Sequence, residues 1–440
     1  MNMNKFTEKL YATKTVSVWG IGYLGYTSVL RLQSKGFFVN CATLEKDVRH
    51  DIQNGRYPYE YMKQTWSLNN DIPKIDIQQI AFPENYDTMF DSNLHIIALP
   101  GFKNSGKPET YARLIEIFSQ HIDKLHHSLI LFQSAEKAGT IKKHFIDPLK
   151  KAGAECYFAS AFRSDWSIEE FLLGNETRML GANDKKSLEI ASQVFTMMEI
   201  DFDTLGGIEE AEVYENGKNC LHYTTQAFFT QLSLGYPHID INDVSAKIAK
   251  NFAVSPKKSG LNLLNHKNIL HINHMLAGQR GEYLSIIQET QAVNMNAALF
   301  YADILKNYQV ASITILGLSV EGARKDIRAS VSILLAEYLH NLDVEIFIHD
   351  PYFTEQEIQE LLPFAKPYRL DAKKEKGAEA YILMSSNPAY NRLTQRDIEK
   401  NAIFHAKIII DSIGIFKHFS FSSQTIYHQV GDGGLKALIK

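Results

Sequence analysis

Three glycines at fixed spacing constrain this chain more than any other feature. Gly20, Gly22 and Gly25, in Gly20-Ile-Gly-Tyr-Leu-Gly25, come directly after the β-type run Thr15-Val-Ser-Val-Trp19. A helical pattern from Tyr26 to Ser34 follows, Gly36 stops it, and Phe37-Phe-Val-Asn-Cys-Ala42 returns to strand character. Strand, glycine turn, helix and strand within about thirty residues make a βαβ unit. In such a unit the first glycine permits the tight turn, the second lets the backbone approach a diphosphate, and the third lets the helix pack close to the strand. The helix start adds N–H groups and the positive end of its dipole. An acidic group about twenty residues on should receive the ribose hydroxyls. Glu45 lies at that distance, although Thr43 is the first residue past the strand, and Lys46 or Arg49 would suit a 2′-phosphate. NAD is the expected cofactor, with NADP left open.

The alternation continues with β-like runs at 94–99, 128–132 and 156–159, separated by helical patterns, so a parallel, doubly wound sheet is predicted. From Ile208 to Phe252 the pattern becomes long helix with one proline, Pro237, and a second helical stretch covers 281–305. Strand-like runs then resume at 311–316, 344–348, 380–384 and 406–410, with a helix at 330–342. The expected class is α/β: a Rossmann-like domain at 1–207, a helical domain at 208–308 and a second Rossmann-like domain at 309–440. The two α/β ends read as crude structural echoes of one another.

Composition excludes several functions. The 440 residues carry 46 basic and 50 acidic side chains, a net charge of −4, which gives no basic excess for a nucleic-acid groove or an anionic membrane surface. Three cysteines in no paired spacing (Cys41, Cys156, Cys220) argue against a disulfide framework or thiolate zinc site and fit a reducing compartment. No run approaches the eighteen or so apolar residues of a membrane span, and the polar start Met1 to Lys9 lacks the apolar core of a secretory signal. A cytoplasmic protein is expected.

Four stretches carry a resemblance that runs the length of the chain: Gly20-Ile-Gly-Tyr-Leu-Gly25; Asn54-Gly-Arg-Tyr-Pro-Tyr-Glu60; Ala211-Glu212 with Asn219; and Ile315-Leu-Gly-Leu318 with Asp326-Ile-Arg328-Ala-Ser330 and Asp350-Pro351. In order and spacing the chain resembles the UDP-glucose/GDP-mannose dehydrogenase family, which oxidises a sugar alcohol to a uronic acid with two NAD. The resemblance implies two Rossmann-like domains joined by a long central helix that forms a homodimer. It also implies cofactor contacts from Gly20, Gly22, Tyr23, Leu24, Gly25, Glu45, Pro100 and Ser134.

The family's catalytic positions are largely replaced. Leu264 in 261–268 falls where its reactive cysteine should be, and only Lys267 of that loop's motif survives. A leucine forms no thiohemiacetal, so the second oxidation by that route is chemically closed. Glu215 stands for the oxyanion-stabilising lysine while Asn219 is kept, and Ala135 in Ser134-Ala-Glu-Lys-Ala-Gly-Thr140 stands for a catalytic threonine. Ala161-Phe162-Arg163 replaces Pro-Glu-Arg, Glu321 replaces a substrate-binding lysine, and Ser412-Ile413 replaces Gly-Arg after Asp411.

Polar side chains remain that could act. Glu215, Lys218, Asn219 and His222 share one helical face by spacing, and Lys218 or His222 could accept a hydroxyl proton as hydride leaves, though a solvated stripe reads equally well. Lys267 joins Lys218, Asn219 and His222 as a catalytic candidate; Arg163, His266 and Arg328 are the substrate-binding candidates. His266, Lys267, His271 and His274 cluster, but no carboxylate or thiolate completes a metal site, and no metal is expected. Trp166 reads as pocket lining or as packing, and Arg328 with Ser330 as a turn before a helix. The favoured reading is an NAD(P)-dependent oxidoreductase acting on the CH–OH group of a nucleotide-linked or phosphorylated sugar, without the cysteine-dependent second oxidation. A catalytically inactive dinucleotide-binding homologue in polysaccharide biosynthesis and a conventional UDP-sugar to UDP-uronate dehydrogenase are the alternatives.

Overall fold

The structure is a computed structural model that describes residues 5–43, 46–59, 62–63, 72–99, 109–163, 177–252, 272–273, 275–277, 281–319, 325, 327, 330–370 and 377–439. The chain divides into two compact units, Met1–Gly217 and Lys218–Lys440. The boundary falls inside one long helix.

The first unit contains α1 (Lys5–Thr13), β1 (Thr15–Trp19), α2 (Tyr23–Ser34), β2 (Phe38–Ala42), α3 (Lys46–Gln53), β3 (Ile80–Ala81) and β4 (Leu94–Ile97). It continues through α4 (Glu109–Ser119), β5 (Leu129–Phe132), β6 (Tyr157–Ser160), β7 (Arg178–Ala182), α5 (Lys185–Met197) and β8 (Phe202–Thr204). Its eight strands lie in the order β3-β2-β1-β4-β5-β6-β7-β8. The continuous apolar runs follow from burial on both faces. Along β5, Leu129 and Leu131 enter one core with Val16, Val18 and Val39. Ile130 and Phe132 enter the other, with Trp19, Ile97 and Phe158. One pair departs from the predicted all-parallel sheet: β7 runs antiparallel to β6, pairing Ala159 with Ala182 and Ser160 with Gly181. An antiparallel neighbour needs no crossover helix, and β7-α5-β8 then forms a parallel βαβ unit of its own.

The helix that crosses the boundary, α6, spans Ile208–Gly235. The long helical pattern of 208–252 divides there, because the Tyr236–Asp240 connection contains Pro237, which lacks an N–H and resists a helix interior. The second unit continues with α7 (Ile241–Phe252), α8 (Ser285–Asn307), β9 (Ser312–Leu316), α9 (Val331–His340), β10 (Glu345–His349), β11 (Lys366–Pro367), β12 (Ala380–Leu383), β13 (Ile408–Asp411) and β14 (Ile426–Gln429). Its sheet order is β11-β10-β9-β12-β13-β14, all pairs parallel. That order repeats the first six strands of the other sheet, so the two α/β ends are echoes in topology. Both are Rossmann-like. Among the described residues, no helix is long and apolar enough to cross a membrane.

One buried group in the first unit ties folding to pH. His95 on β4 is 0% exposed among Trp19, Phe90 and Phe118. Trp19 Nε1 donates to its Nδ1 at 3.3 Å, so the lone pair there must be free and the ring neutral. Burial pushes the imidazole down to about 3. Because the folded value lies below the unfolded one, its stability contribution is present above about pH 6.5 and is lost as pH falls toward 3. Between pH 7 and pH 5, His95→Phe should remove about 2 kcal/mol of the acid-induced loss of stability, read by urea unfolding at both pH values. An unchanged pH slope in the variant would show that His95 is not the group responsible.

Candidate functional site

In the first unit β1 ends into the glycine turn at the point where strand order reverses, between β1 and β4. Such a switch point opens a crevice at the carboxyl ends of the strands. Gly20 takes φ of 97°, and its N–H donates to the Ala42 carbonyl at 2.9 Å. A Cβ on Gly25 would lie 2.0 Å from the Gly20 carbonyl oxygen, so only glycine lets α2 approach the strand this closely. Gly22 differs. Among the described residues, a Cβ there would meet nothing within 4 Å. Packing therefore does not require its missing side chain. Gly22 also caps α2 without a side-chain acceptor for the first-turn amides. A helix start leaves such donors for water or a ligand, and an anion at this turn fits the donor set.

The second unit builds the same turn and closes it. Gly317, with φ of 103°, donates its N–H to His349 as Gly20 does to Ala42. Asp350, one residue past β10, then places Oδ2 2.8 Å from both the Leu318 and Ser319 nitrogens, and Tyr352 N donates to Oδ1 at 2.9 Å. An internal carboxylate thus occupies the two amides that follow Gly317, whose counterparts by position after Gly20 are those of Ile21 and Gly22. The position equivalent to Asp350 in the first unit is Thr43, an uncharged residue. At the second unit's own switch point the buried Ser385 Oγ has no hydrogen-bond partner among the described residues. At the end of β13, the Asp411 carboxylate accepts the N–H groups of Ile413, Gly414 and Phe416 and the Tyr427 hydroxyl.

Several side chains hold the first turn. Arg163, 8% exposed, donates from Nη1 to the Leu24 carbonyl at 3.0 Å and to Thr27 Oγ1, and its guanidinium lies 5.6 Å over the Tyr23 ring. Ser28 Oγ donates to Gln133 Oε1 at 2.7 Å, tying α2 to the end of β5. Ser134 is buried next to Gln133. The loop beyond it is pinned to α6: Glu212 accepts the Gly139 and Ile141 N–H groups at 2.6 and 3.0 Å, and Asn216 Nδ2 reaches the Glu136 and Glu212 carbonyls, both at 2.7 Å. Tyr111 on α4 donates to the buried Glu136 carboxylate at 3.1 Å.

On α6, Glu215 and Asn219 are buried while Lys218 and His222 are partly exposed. Glu45, Pro100, His266, Lys267 and Arg328 lie outside the described residues, as do Trp166, Leu264, His271, His274, Glu321 and Asp326. Sequence reasoning missed Glu136, Asn216 and Gln133 as organisers of the site; Glu212 was quoted only as part of a motif. All three thiols are unpaired by disulfides. Burial pushes Cys41 far up, Cys156 up to about 12 and Cys220 up to about 11. A nucleophilic thiolate needs the opposite shift.

The two glycines separate packing from ligand binding. Gly25→Ala should destabilise the first unit by about 2 kcal/mol or more through overpacking. Gly22→Ala should leave the melting temperature nearly unchanged yet weaken NAD binding at least about tenfold by filling the space a diphosphate needs. Equal NAD affinity in Gly22→Ala and the unaltered chain would remove the ligand from this turn.

Residues 314–418, which run from β9 to just past β13, match the UDP-binding domain of the UDP-glucose/GDP-mannose dehydrogenase family. A UDP-N-acetyl-D-mannosamine dehydrogenase of Methanococcus aeolicus is 21% identical over 98% of this chain and 98% of the relative. A UDP-glucose 6-dehydrogenase of Rickettsia conorii is 22% identical over 76% and 79% of the respective chains. The solved UDP-glucose dehydrogenase of Pyrobaculum islandicum shares the fold with a TM-score of 0.77 at 17% identity, covering 95% of this chain and 97% of the other. Along 98% of its length the chain is similar to a UDP-N-acetyl-D-mannosamine dehydrogenase, and residues 314–418 of its second α/β unit match the UDP-binding domain of the UDP-glucose/GDP-mannose dehydrogenase family.

Proposed function

We propose that this protein is an NAD-dependent oxidoreductase that removes one hydride from a CH–OH group of a nucleotide-linked sugar and stops at the carbonyl. The observation that carries the cofactor part is the asymmetry between the two turns. Gly22, at the start of α2, brings no side chain to cap the helix and has open space among the described residues, whereas in the second unit Asp350 takes the Leu318 and Ser319 amides, the counterparts of Ile21 and Gly22. The dinucleotide is assigned to the first unit on that ground. A nucleotide sugar is assigned to the second, where the family match lies and where Ser385 Oγ is left as a buried hydroxyl to satisfy.

A bound nicotinamide ring supplies the hydride acceptor. The chain's own residues must then take the hydroxyl proton and orient the alcohol. Lys218 and His222, partly exposed on α6, are assigned the base role, and the buried Asn219 the orienting role. The buried Glu215 opposes an oxyanion rather than stabilising one. Three thiols held in their neutral form leave no sulfur nucleophile for a covalent second step. Two exposed apolar residues one heptad apart on α6, Leu221 at 69% and Phe228 at 53%, support a homodimer through this helix.

The test is to incubate the full chain with NAD and a panel of UDP-linked hexoses and N-acetylhexosamines, following NADH absorbance and product mass. One NADH per sugar and a product two mass units lighter support the proposal. Two NADH and a uronate would establish the conventional reaction instead. NAD binding without turnover on any sugar would favour the inactive homologue.

A further inference from the structure

The segment 134–141 leaves the end of β5 on the side of the switch point opposite the glycine turn. Its shape is not set by its own sequence alone. The Gly139 and Ile141 amides are both given to one carboxylate, that of Glu212, which is 0% exposed. Asn216, one turn further along α6, bridges the Glu136 and Glu212 carbonyls and keeps that carboxylate in register with the loop. We propose that Glu212 is a positioning residue: ionised, it clamps the β5 loop in the form that receives the nicotinamide half of the dinucleotide, and on taking up a proton it releases the clamp. This rests on the assignment of the dinucleotide to the first unit.

The chemistry is that of acceptor count. A carboxylate accepts at both oxygens, whereas a carboxylic acid turns one of them into an O–H donor. A protonated Glu212 therefore keeps one amide bond and loses the other. Its surroundings favour proton uptake near neutrality. Among the described residues, the groups that act on it electrostatically are Glu209 on its own helix and Tyr111 from α4, whose hydroxyl bonds Glu136 and is influenced by both Glu136 and Glu212. Burial pushes Glu212 up to about 7, against the two amide bonds that pull it down.

The adenosine half of the ligand docks at the glycine turn and does not need the β5 loop, so ADP-ribose serves as the internal reference. Calorimetric affinities of NAD and ADP-ribose for the full chain at pH 6, 7 and 8 give a ratio that isolates the loop. The ratio should rise about tenfold from pH 6 to pH 8, following one ionisation near 7. In Glu212→Gln, which has one acceptor oxygen at every pH, the ratio should stay low and flat. A purely structural Glu212 would change stability and leave the pH profile of the ratio in place. A pH-independent ratio in the unaltered chain overturns the proposal without reference to any variant, as does a persisting tenfold rise in Glu212→Gln. Failure of ADP-ribose to bind at all would overturn the dinucleotide assignment, and this proposal with it.

Discussion

The backbone N–H groups just past the first strand of each α/β unit are the constraint on which both units depend. Buried or half-buried amides must have acceptors. The second unit supplies its own for Leu318 and Ser319, the Asp350 carboxylate. At the N-cap of α2 the first unit places Gly22, which has no side chain to cap with and which, among the described residues, no packing neighbour requires to be glycine. Two turns with the same strand order and the same glycine-to-carbonyl hydrogen bond thus differ at the residue after the second strand, Asp350 in one and Thr43 in the other.

The supports around the first turn have a common direction. Arg163 from the end of β6 and Gln133 from the end of β5 both reach the first two turns of α2. Glu212 and Asn216 fix the β5 loop to the start of α6. The strand ends on both sides of the switch point are therefore braced by buried polar contacts rather than by apolar packing alone. Such contacts are geometrically specific, and each is costly to leave half made. Arg163, a substrate-binding candidate on sequence, has its Nη1 committed to this bracing in the structure.

Much of the fold was legible because periodicity reports burial. The run Thr15–Trp19 is a strand with the predicted bounds, and the cores on either side of each sheet alternate along β5 and β12 as a doubly wound sheet requires. Short strands escaped notice: β3, β8 and β11 span two or three residues and carry too little pattern to read. The reversal at β7 was invisible for another reason, since strand direction is set by the connection and not by the strand's own residues. At the site, the glycines announced themselves through spacing. Asp350 was quoted as a family signature, but its bond to the Leu318 and Ser319 amides depends on a contact across thirty residues that no local pattern encodes. Glu136 likewise carries no signal of its own within segment 134–140, and its partner Tyr111 lies on α4.

The most direct measurement is amide hydrogen exchange of the full chain with and without NAD. The account predicts that NAD slows exchange in Gly22 to Gly25 and leaves Leu318 and Ser319 unchanged, because Asp350 already protects them. Protection at Leu318 and Ser319, or none at Gly22 to Gly25, would contradict the claim that the dinucleotide is held by the uncapped turn of the first unit.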